Sequence, residues 1–410
     1  MRAAPPRLGV GLIGYAFMGA AHSQAWRTAG RFFDLPRTVD RAVLAGRDPV
    51  AVAAAADRLG WRSTETDWRR VVERDDVDLV DICTPGDSHA EIAIAALAAG
   101  KHVLCEKPLA NTVAEAEAMT AAAQEAAARG VRSMVGFNYR RVPALALARQ
   151  LVAQGRLGKI RHVRAAYLQD WIVDPQFPLV WRLQRERAGS GALGDIGAHV
   201  VDAAQFVSGR RITGVSAVTE TFVRRRPLLA ATSGGLAATG GVELGVVTVD
   251  DAALFTARFE GGALGSFEAT RFATGRKNDI RIELNGSAGS LAFDFAAMNE
   301  LQLYDATTPG DLAGFTRIQV TEASHPYMAA WWPPGHLIGY EHTFTHEVVD
   351  LLRDLDAGRD PAPSFADGLQ VQQVLAAVEA SAAAGSRWTP VGPDGVPAGA
   401  SSGSSNEREG

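Results

Sequence analysis

Cysteine is nearly absent from this 410-residue chain, with only Cys83 and Cys105, and both sit in apolar strand-like runs. That scarcity argues against a disulfide framework or a cysteine-based metal site and makes the pair buried, inert thiols. There is no basic excess either. Lys and Arg total 41 against 46 Asp and Glu, a net charge of -5, so the electrostatic footprint expected of a nucleic-acid binder is missing. Long apolar runs are lacking as well. A segment such as Ile92 to Ala99 is far too short to span a bilayer, which argues against a membrane partner. Met1 to Arg7 holds two prolines and no apolar stretch of the kind a secretory signal needs, and the expected location is cytoplasmic.

What remains is globular. Hydrophobic residues make up 47% and charged residues 21%, and the length suits two domains. From Leu8 to Asn138 short apolar strands alternate with helices, a rhythm that predicts a doubly wound parallel sheet covered on both faces. After Asn138 the rhythm changes. Strands dominate between Ile212 and Tyr304 (Val246 to Phe259, Ala263 to Phe272, Asp279 to Leu284, Ser290 to Phe293), with glycine turn signals that predict antiparallel hairpins. Two late helices, near Tyr340 to Leu355 and Ala366 to Ala384, follow. The fold class is therefore α/β, a Rossmann domain over 1–138 and a second α/β domain over 139–390 with a mainly antiparallel sheet. Residues 391–410, rich in Gly, Ser and Pro, read as a disordered tail.

Three segments carry chemistry. Gly14-Tyr15-Ala16-Phe17-Met18-Gly19 has dinucleotide-fingerprint spacing between a strand and a helix, with Ala16 in place of the second glycine. Gly14, Ala16, Phe17 and Met18 would line a pyrophosphate at the helix N-terminus. The second strand ends in Gly46-Arg47-Asp48. Arg47 can pair with a 2′-phosphate, which tilts the cofactor towards NADP, whereas Asp48 could serve the ribose of NAD. Glu106-Lys107-Pro108 follows a buried strand, and Gly191 to Asp202 has helical patterning that sets Asp195 and His199 on one face. Singly, a Lys-Pro pair is a strand terminator and an Asp/His pair a surface contact. Together, a lysine, a carboxylate and an imidazole are what removal of a hydride from an alcohol requires.

In this combination the chain resembles the glucose–fructose oxidoreductase/inositol dehydrogenase/rhizopine-catabolism family, Gfo/Idh/MocA. The likeness runs from Val10 to about Ala384, through Gly14 to Gly19, Thr84-Pro85 with His89, Glu106-Lys107-Pro108 and Gly191 to Asp202. Asn138 to Pro143, Leu168 to Trp171 and Trp181-Arg182 are most similar to the sugar and cyclitol dehydrogenases of the levoglucosan type. The resemblance implies an NAD(P)-dependent oxidation of a secondary hydroxyl in a sugar, anhydrosugar or cyclitol such as inositol. It implies Lys107, Asp195 and His199 around the reacting carbon, with His199 as base, Lys107 on the hydroxyl oxygen and Asp195 holding the lysine or a substrate hydroxyl. A cis Lys107-Pro108 bond and a homodimer or homotetramer are further implications. Thr84, Pro85, His89, Glu106 and Lys107 would then lie by the cofactor, and Asn138, Tyr139, Arg140, Trp171, Trp181 and Arg182 by the substrate.

Gly46-Arg47 departs from the acidic strand ending of the levoglucosan-type proteins. Two other functions stay open at this point: a glycosidase acting by transient oxidation and elimination with bound NAD, and a non-catalytic cofactor or sugar sensor. Asp202 reads as part of a polar network. His336, His342 and His346 read as packing or pocket-rim residues, with no metal expected.

Overall fold

The computed structural model describes residues 6–229 and 240–392. The first half alternates strand and helix: β1 (Arg7–Ile13), α1 (Phe17–Phe32), β2 (Thr38–Ala45), α2 (Pro49–Leu59), β3 (Ser63–Glu65), α3 (Trp68–Glu73), β4 (Leu79–Ile82), α4 (His89–Ala98), β5 (His102–Glu106), α5 (Val113–Ala127) and β6 (Ser133–Gly136). The six strands are parallel in the order β3-β2-β1-β4-β5-β6. Helices cover both faces, which is why β4 is buried at every residue and reads as a continuous apolar run. The strand order reverses between β1 and β4. That reversal opens a crevice at the carboxyl ends, where Gly14, Thr84 and Lys107 lie.

The chain continues through α6 (Pro143–Ala153), β7 (Ile160–Leu168), α7 (Arg185–Ala188), α8 (Ala198–Ser208), β8 (Ile212–Glu220), β9 (Arg225–Leu229), β10 (Gly240–Val246), β11 (Ala252–Phe259), β12 (Leu264–Thr270), β13 (Asp279–Gly286), β14 (Gly289–Asp294), β15 (Glu300–Asp305), β16 (Thr316–Gln319), α9 (Glu341–Asp356), α10 (Phe365–Ala383) and β17 (Thr389–Pro390). Nine of these strands form one sheet, β16-β15-β14-β13-β7-β12-β11-β8-β17, antiparallel except where β7 meets β12. Along β11, Ala253, Phe255, Ala257 and Phe259 point into the core while Leu254, Thr256 and Arg258 point out. Helices α8 and α10 pack on the inner face. Helix α9 returns to the first domain, its Phe344, Val348 and Leu352 sharing a core with Leu8, Val10 and Trp26.

Two expectations need correction. Val246 to Phe259 is not one strand: β10 pairs with β9 in a separate hairpin, and Val247 to Asp251 turns before β11. The reason is local. Asp250 and Asp251 point their carboxylates at main-chain N–H groups of other segments instead of continuing the ladder. The Gly191 helix also starts irregularly. Leu193–Gly197 form a π turn, with the Ala198 N–H donating to the Leu193 carbonyl, before regular α8 begins. Asp195 and His199 therefore do not have simple α-helical i, i+4 geometry. The expected disordered tail, from residue 393 on, lies outside the described residues.

Candidate active site

Gly14 adopts φ of 100°, and a Cβ there would lie 2.6 Å from the Cys83 carbonyl. A Cβ on Gly19 would lie 2.0 Å from the Gly14 carbonyl, so helix and turn meet in contact. Ala16 caps α1 with no side-chain hydrogen bond, and the first-turn amides of Phe17 and Met18 face the crevice edge without an intrahelical partner. This uncapped N-terminus fits a dinucleotide pyrophosphate. At the end of β2, the Tyr15 ring packs over Gly46. Arg47 is exposed and has no hydrogen-bond or ion-pair partner among the described residues. The Asp48 carboxylate instead caps α2, accepting from the Val50 and Ala51 amides at 2.9 Å each.

Lys107, Asp195 and His199 come together near the carboxyl ends of β5 and β6. Lys107 follows β5 through a cis bond to Pro108. Its Nζ donates to the Asp195 carbonyl at 2.6 Å and lies 3.5 Å from the Asp195 carboxylate. Burial pushes the Asp195 carboxyl up, but Lys107, Arg182, Arg271 and His199 outweigh it and hold it at about 2. His199 is buried, ringed edge-to-face by Tyr139 at 4.7 Å and Phe137 at 6.1 Å, and its Nδ1 has no hydrogen-bond partner. Burial, with help from Lys107, pushes its basicity well below that of ordinary histidine. The site thus holds an ammonium, an ionised carboxylate and a neutral imidazole with a free nitrogen.

Other expected residues are placed differently. The Glu106 carboxylate is buried, 3.1 Å from His22 Nε2, and accepts the Lys107 main-chain N–H. His89 is buried with both ring nitrogens at main-chain carbonyls, those of Pro108 and Thr84, so it ties two strand ends together. Thr84 and Pro85 do lie at the crevice, half-buried. Asn138 is buried and donates to Thr343, and Arg140 forks onto Asp202 at 2.5–3.0 Å. That fork is the network expected of Asp202. The Tyr139 hydroxyl is 2.9 Å from that of Tyr167, which donates to Asn278. Trp171 and Trp181 are half-buried; Trp171 donates to Gln169, and Arg182 stacks on its neighbour Trp181. His346 packs between Trp331 and the Arg141 carbonyl.

Sequence reasoning passed over Asp250 and Arg271. The Asp250 carboxylate accepts from the amides of Gly191 and Leu193 at 2.7 and 2.8 Å, so it caps the Gly191 segment from the turn between β10 and β11. A Cβ on Gly191 would lie 1.7 Å from the Asp250 carbonyl. Arg271 Nη1 lies 3.6 Å from the Asp195 carboxylate. The available signal was charge in apolar strand runs, Asp250-Asp251 and the lone Arg271.

Residues 8–137 match the oxidoreductase family with an NAD-binding Rossmann fold, and residues 145–292 match the GFO/IDH/MocA C-terminal domain. The chain belongs to the Gfo/Idh/MocA family. It is an NAD-binding oxidoreductase of that family, as the fold and the paired motifs lead one to expect. Levoglucosan dehydrogenase of Pseudarthrobacter phenanthrenivorans is 45% identical over 383 residues, covering 92% of this chain and 96% of that protein. An oxidoreductase domain protein from Kribbella flavida superposes with a TM-score of 0.90 at 68% identity, covering 94% and 100% of the two chains. A levoglucosan dehydrogenase in complex with NADH and levoglucosan superposes with a TM-score of 0.88 at 43% identity, covering 94% and 99%. Among the described residues no helix of this family member is long and apolar enough to cross a membrane.

Proposed function

We propose that this protein oxidises a secondary hydroxyl of a sugar, anhydrosugar or cyclitol to the ketone. The reading rests on one observation: Lys107 Nζ, anchored at 2.6 Å on the Asp195 carbonyl, shares a site with His199, whose Nδ1 is buried and unpaired. The other ring nitrogen, Nε2, makes no hydrogen bond among the described residues and is not enclosed, so it is the one a substrate hydroxyl reaches. His199 takes the hydroxyl proton, being neutral in this setting. Lys107 donates to the same oxygen as negative charge builds there, and its third partner, Asp195, keeps it from swinging away. Trp171, Trp181 and Arg182 border the space beside Asp195 and offer flat faces to a ring substrate. The nicotinamide, when bound, supplies the hydride acceptor.

Levoglucosan-like anhydrosugars head the substrate class, because the 45% identical relative is a levoglucosan dehydrogenase. For the cofactor, the unpartnered Arg47 and the occupation of Asp48 as a helix cap favour NADP over NAD. We infer also that a second copy covers the outer sheet face around Val218, Leu254 and Leu264, all more than 40% exposed, in a dimer or tetramer. Absorbance at 340 nm with NAD and NADP separately, over levoglucosan, myo-inositol, glucose and related pyranosides, tests the reading. Reduction with one of these sugars supports it. Silence across the panel despite measurable cofactor binding sinks it.

A further inference from the structure

Arg271 is among the largest fully buried side chains of the protein, with 0% of its side chain exposed. It follows β12, and its main-chain N–H donates to the Asp251 carbonyl at 3.1 Å. Its guanidinium makes a single hydrogen bond, from Nη2 to the Asp250 carbonyl at 3.1 Å, and Nε and Nη1 have none. A buried guanidinium with five donors and one hydrogen bond is expensive unless a charge compensates it. The compensating charge is Asp195, whose carboxylate oxygen lies 3.6 Å from Nη1, while Trp171 presents its ring 5.5 Å from the guanidinium carbon. Asp250 belongs to the same assembly. Its carboxylate holds the amides of Gly191 and Leu193, its carbonyl receives the Ala192 N–H, and the same carbonyl receives Arg271.

We propose that Arg271 is a positioning residue of this site, pinning one oxygen of an ionised Asp195 carboxylate so that the other faces Lys107. The inference rests on the reading of Lys107, Asp195 and His199 as the reacting groups. The charged and titratable groups around Asp195 come from every element packed there: Lys107 after β5, Arg182 in the turn before α7, His199 on α8, Arg271 after β12, and the phenols Tyr139 and Tyr167. Of the three cations, Arg271 alone is wholly buried, since Lys107 keeps 13% of its side chain exposed and Arg182 is half-buried. Water screens it least, and it adds to the stronger pull of Lys107 and Arg182 on the Asp195 carboxylate from a fixed contact at 3.6 Å. Its Nη2 is held by the Asp250 main-chain carbonyl.

The test follows the Asp195 carboxyl carbon by 13C NMR in aspartate-labelled protein, assigned by its loss in Asp195→Asn. The wild-type resonance should titrate near the acid edge of the accessible range, at about pH 2. Arg271→Gln removes the charge yet keeps an amide N–H for the Asp250 carbonyl, and should raise the midpoint by about one to two pH units. Arg271→Lys keeps the charge and should leave the midpoint within about half a unit of wild type. An unmoved midpoint in Arg271→Gln, or equal shifts in both variants, overturns the proposal. Should the Gln variant not fold, Arg271→Lys decides: a wild-type midpoint supports charge as the operative property, and a rise of a full unit overturns it. None of these readouts needs turnover, so failure of the sugar panel and failure of this inference are separate results.

Discussion

Asp250→Asn separates the holding of the catalytic segment from the chemistry done on it. The Asp250 carboxylate accepts two buried main-chain donors, Gly191 N–H at 2.7 Å and Leu193 N–H at 2.8 Å. An asparagine keeps one acceptor oxygen and turns an NH2 towards the other donor. One charge-assisted bond worth about 1.5–3 kcal/mol is lost and the other falls to about 1 kcal/mol, giving about 2–5 kcal/mol in all. At a urea slope of about 3 kcal/mol/M this moves the unfolding midpoint down by about 1 M. The functional consequence comes through Lys107, because its anchor is the Asp195 carbonyl in the same segment. A displacement on the order of 1 Å there lowers turnover by about 100-fold, with cofactor affinity little changed.

The neighbouring Asp251→Asn is the control. Asp251 is more deeply buried still and accepts from the Phe222 and Val223 amides at 2.8 and 3.2 Å, but it holds the entry to the β9–β10 hairpin rather than the Gly191 segment. It should lose similar stability and keep turnover within a few-fold of wild type. Urea unfolding followed by tryptophan fluorescence, with steady-state rates on the sugar found active, provides both numbers. A wild-type midpoint for Asp250→Asn, or matching turnover losses in the two variants, would refute the reasoning.

Lys107→Ala should lower turnover by at least ~100-fold while NAD(P)H still binds, as read by steady-state rates and nicotinamide fluorescence. Arg47→Ala should weaken NADP by ~10-fold or more and leave NAD nearly unchanged; equal losses for both would place the 2′-phosphate elsewhere. Because His199 is held well below the usual histidine range, it is already neutral at pH 6, and kcat/KM should show no acid limb near ~6.5. An inflection there would mean that the imidazole is solvated. Burial raises the Glu347 carboxyl to about 8, so the folded state prefers it protonated. The stability this contributes is full below the unfolded value near 4.5 and is lost as pH rises towards 8. Glu347→Gln should therefore raise the melting temperature relative to wild type at pH 8.5 but not at pH 5.

The parts of this fold that were legible in sequence are those where a local rule meets a repeated pattern. Continuous apolar strands with intervening helices specify a parallel sheet wherever both faces are covered, and glycine at positions 14 and 19 follows because a Cβ there would lie 2.6 and 2.0 Å from main-chain carbonyl oxygens. Lys107 and Asp195 were legible as a pair because each lies in a distinctive short segment. The hairpin of β9 and β10 was not, since its break from β11 depends on where Asp250 and Asp251 find distant amides. Nor was the π turn at Leu193–Gly197 visible, because Gly-Asp-Ile-Gly has the same apolar spacing whether the turn holds four residues or five. Asn138 and Arg140 stand at the carboxyl end of β6, where ligands bind in such sheets, yet Thr343 and Asp202 pair with them.

The same division explains how the two halves of the site are supported. Lys107 is held from below by a buried arrangement outside its own segment: His22 has Nδ1 at 3.0 Å from Asp81 and Nε2 at 3.1 Å from Glu106, and Glu106 takes the Lys107 N–H. An imidazole facing two carboxylates donates from both nitrogens only as the cation. Burial opposes that charge, but Asp81 overrides it and His22 is pushed well above the ordinary histidine range. The Gly191 segment is held by Asp250 and Arg271 in the same manner, with acid and base buried together and spent on main-chain atoms. Neither support supplies a group to the proposed chemistry, which rests on Lys107, Asp195 and His199. Removing a support should therefore resemble removing a reacting group in turnover while leaving cofactor binding intact, and the holders carry no mark in sequence beyond charge inside an apolar run.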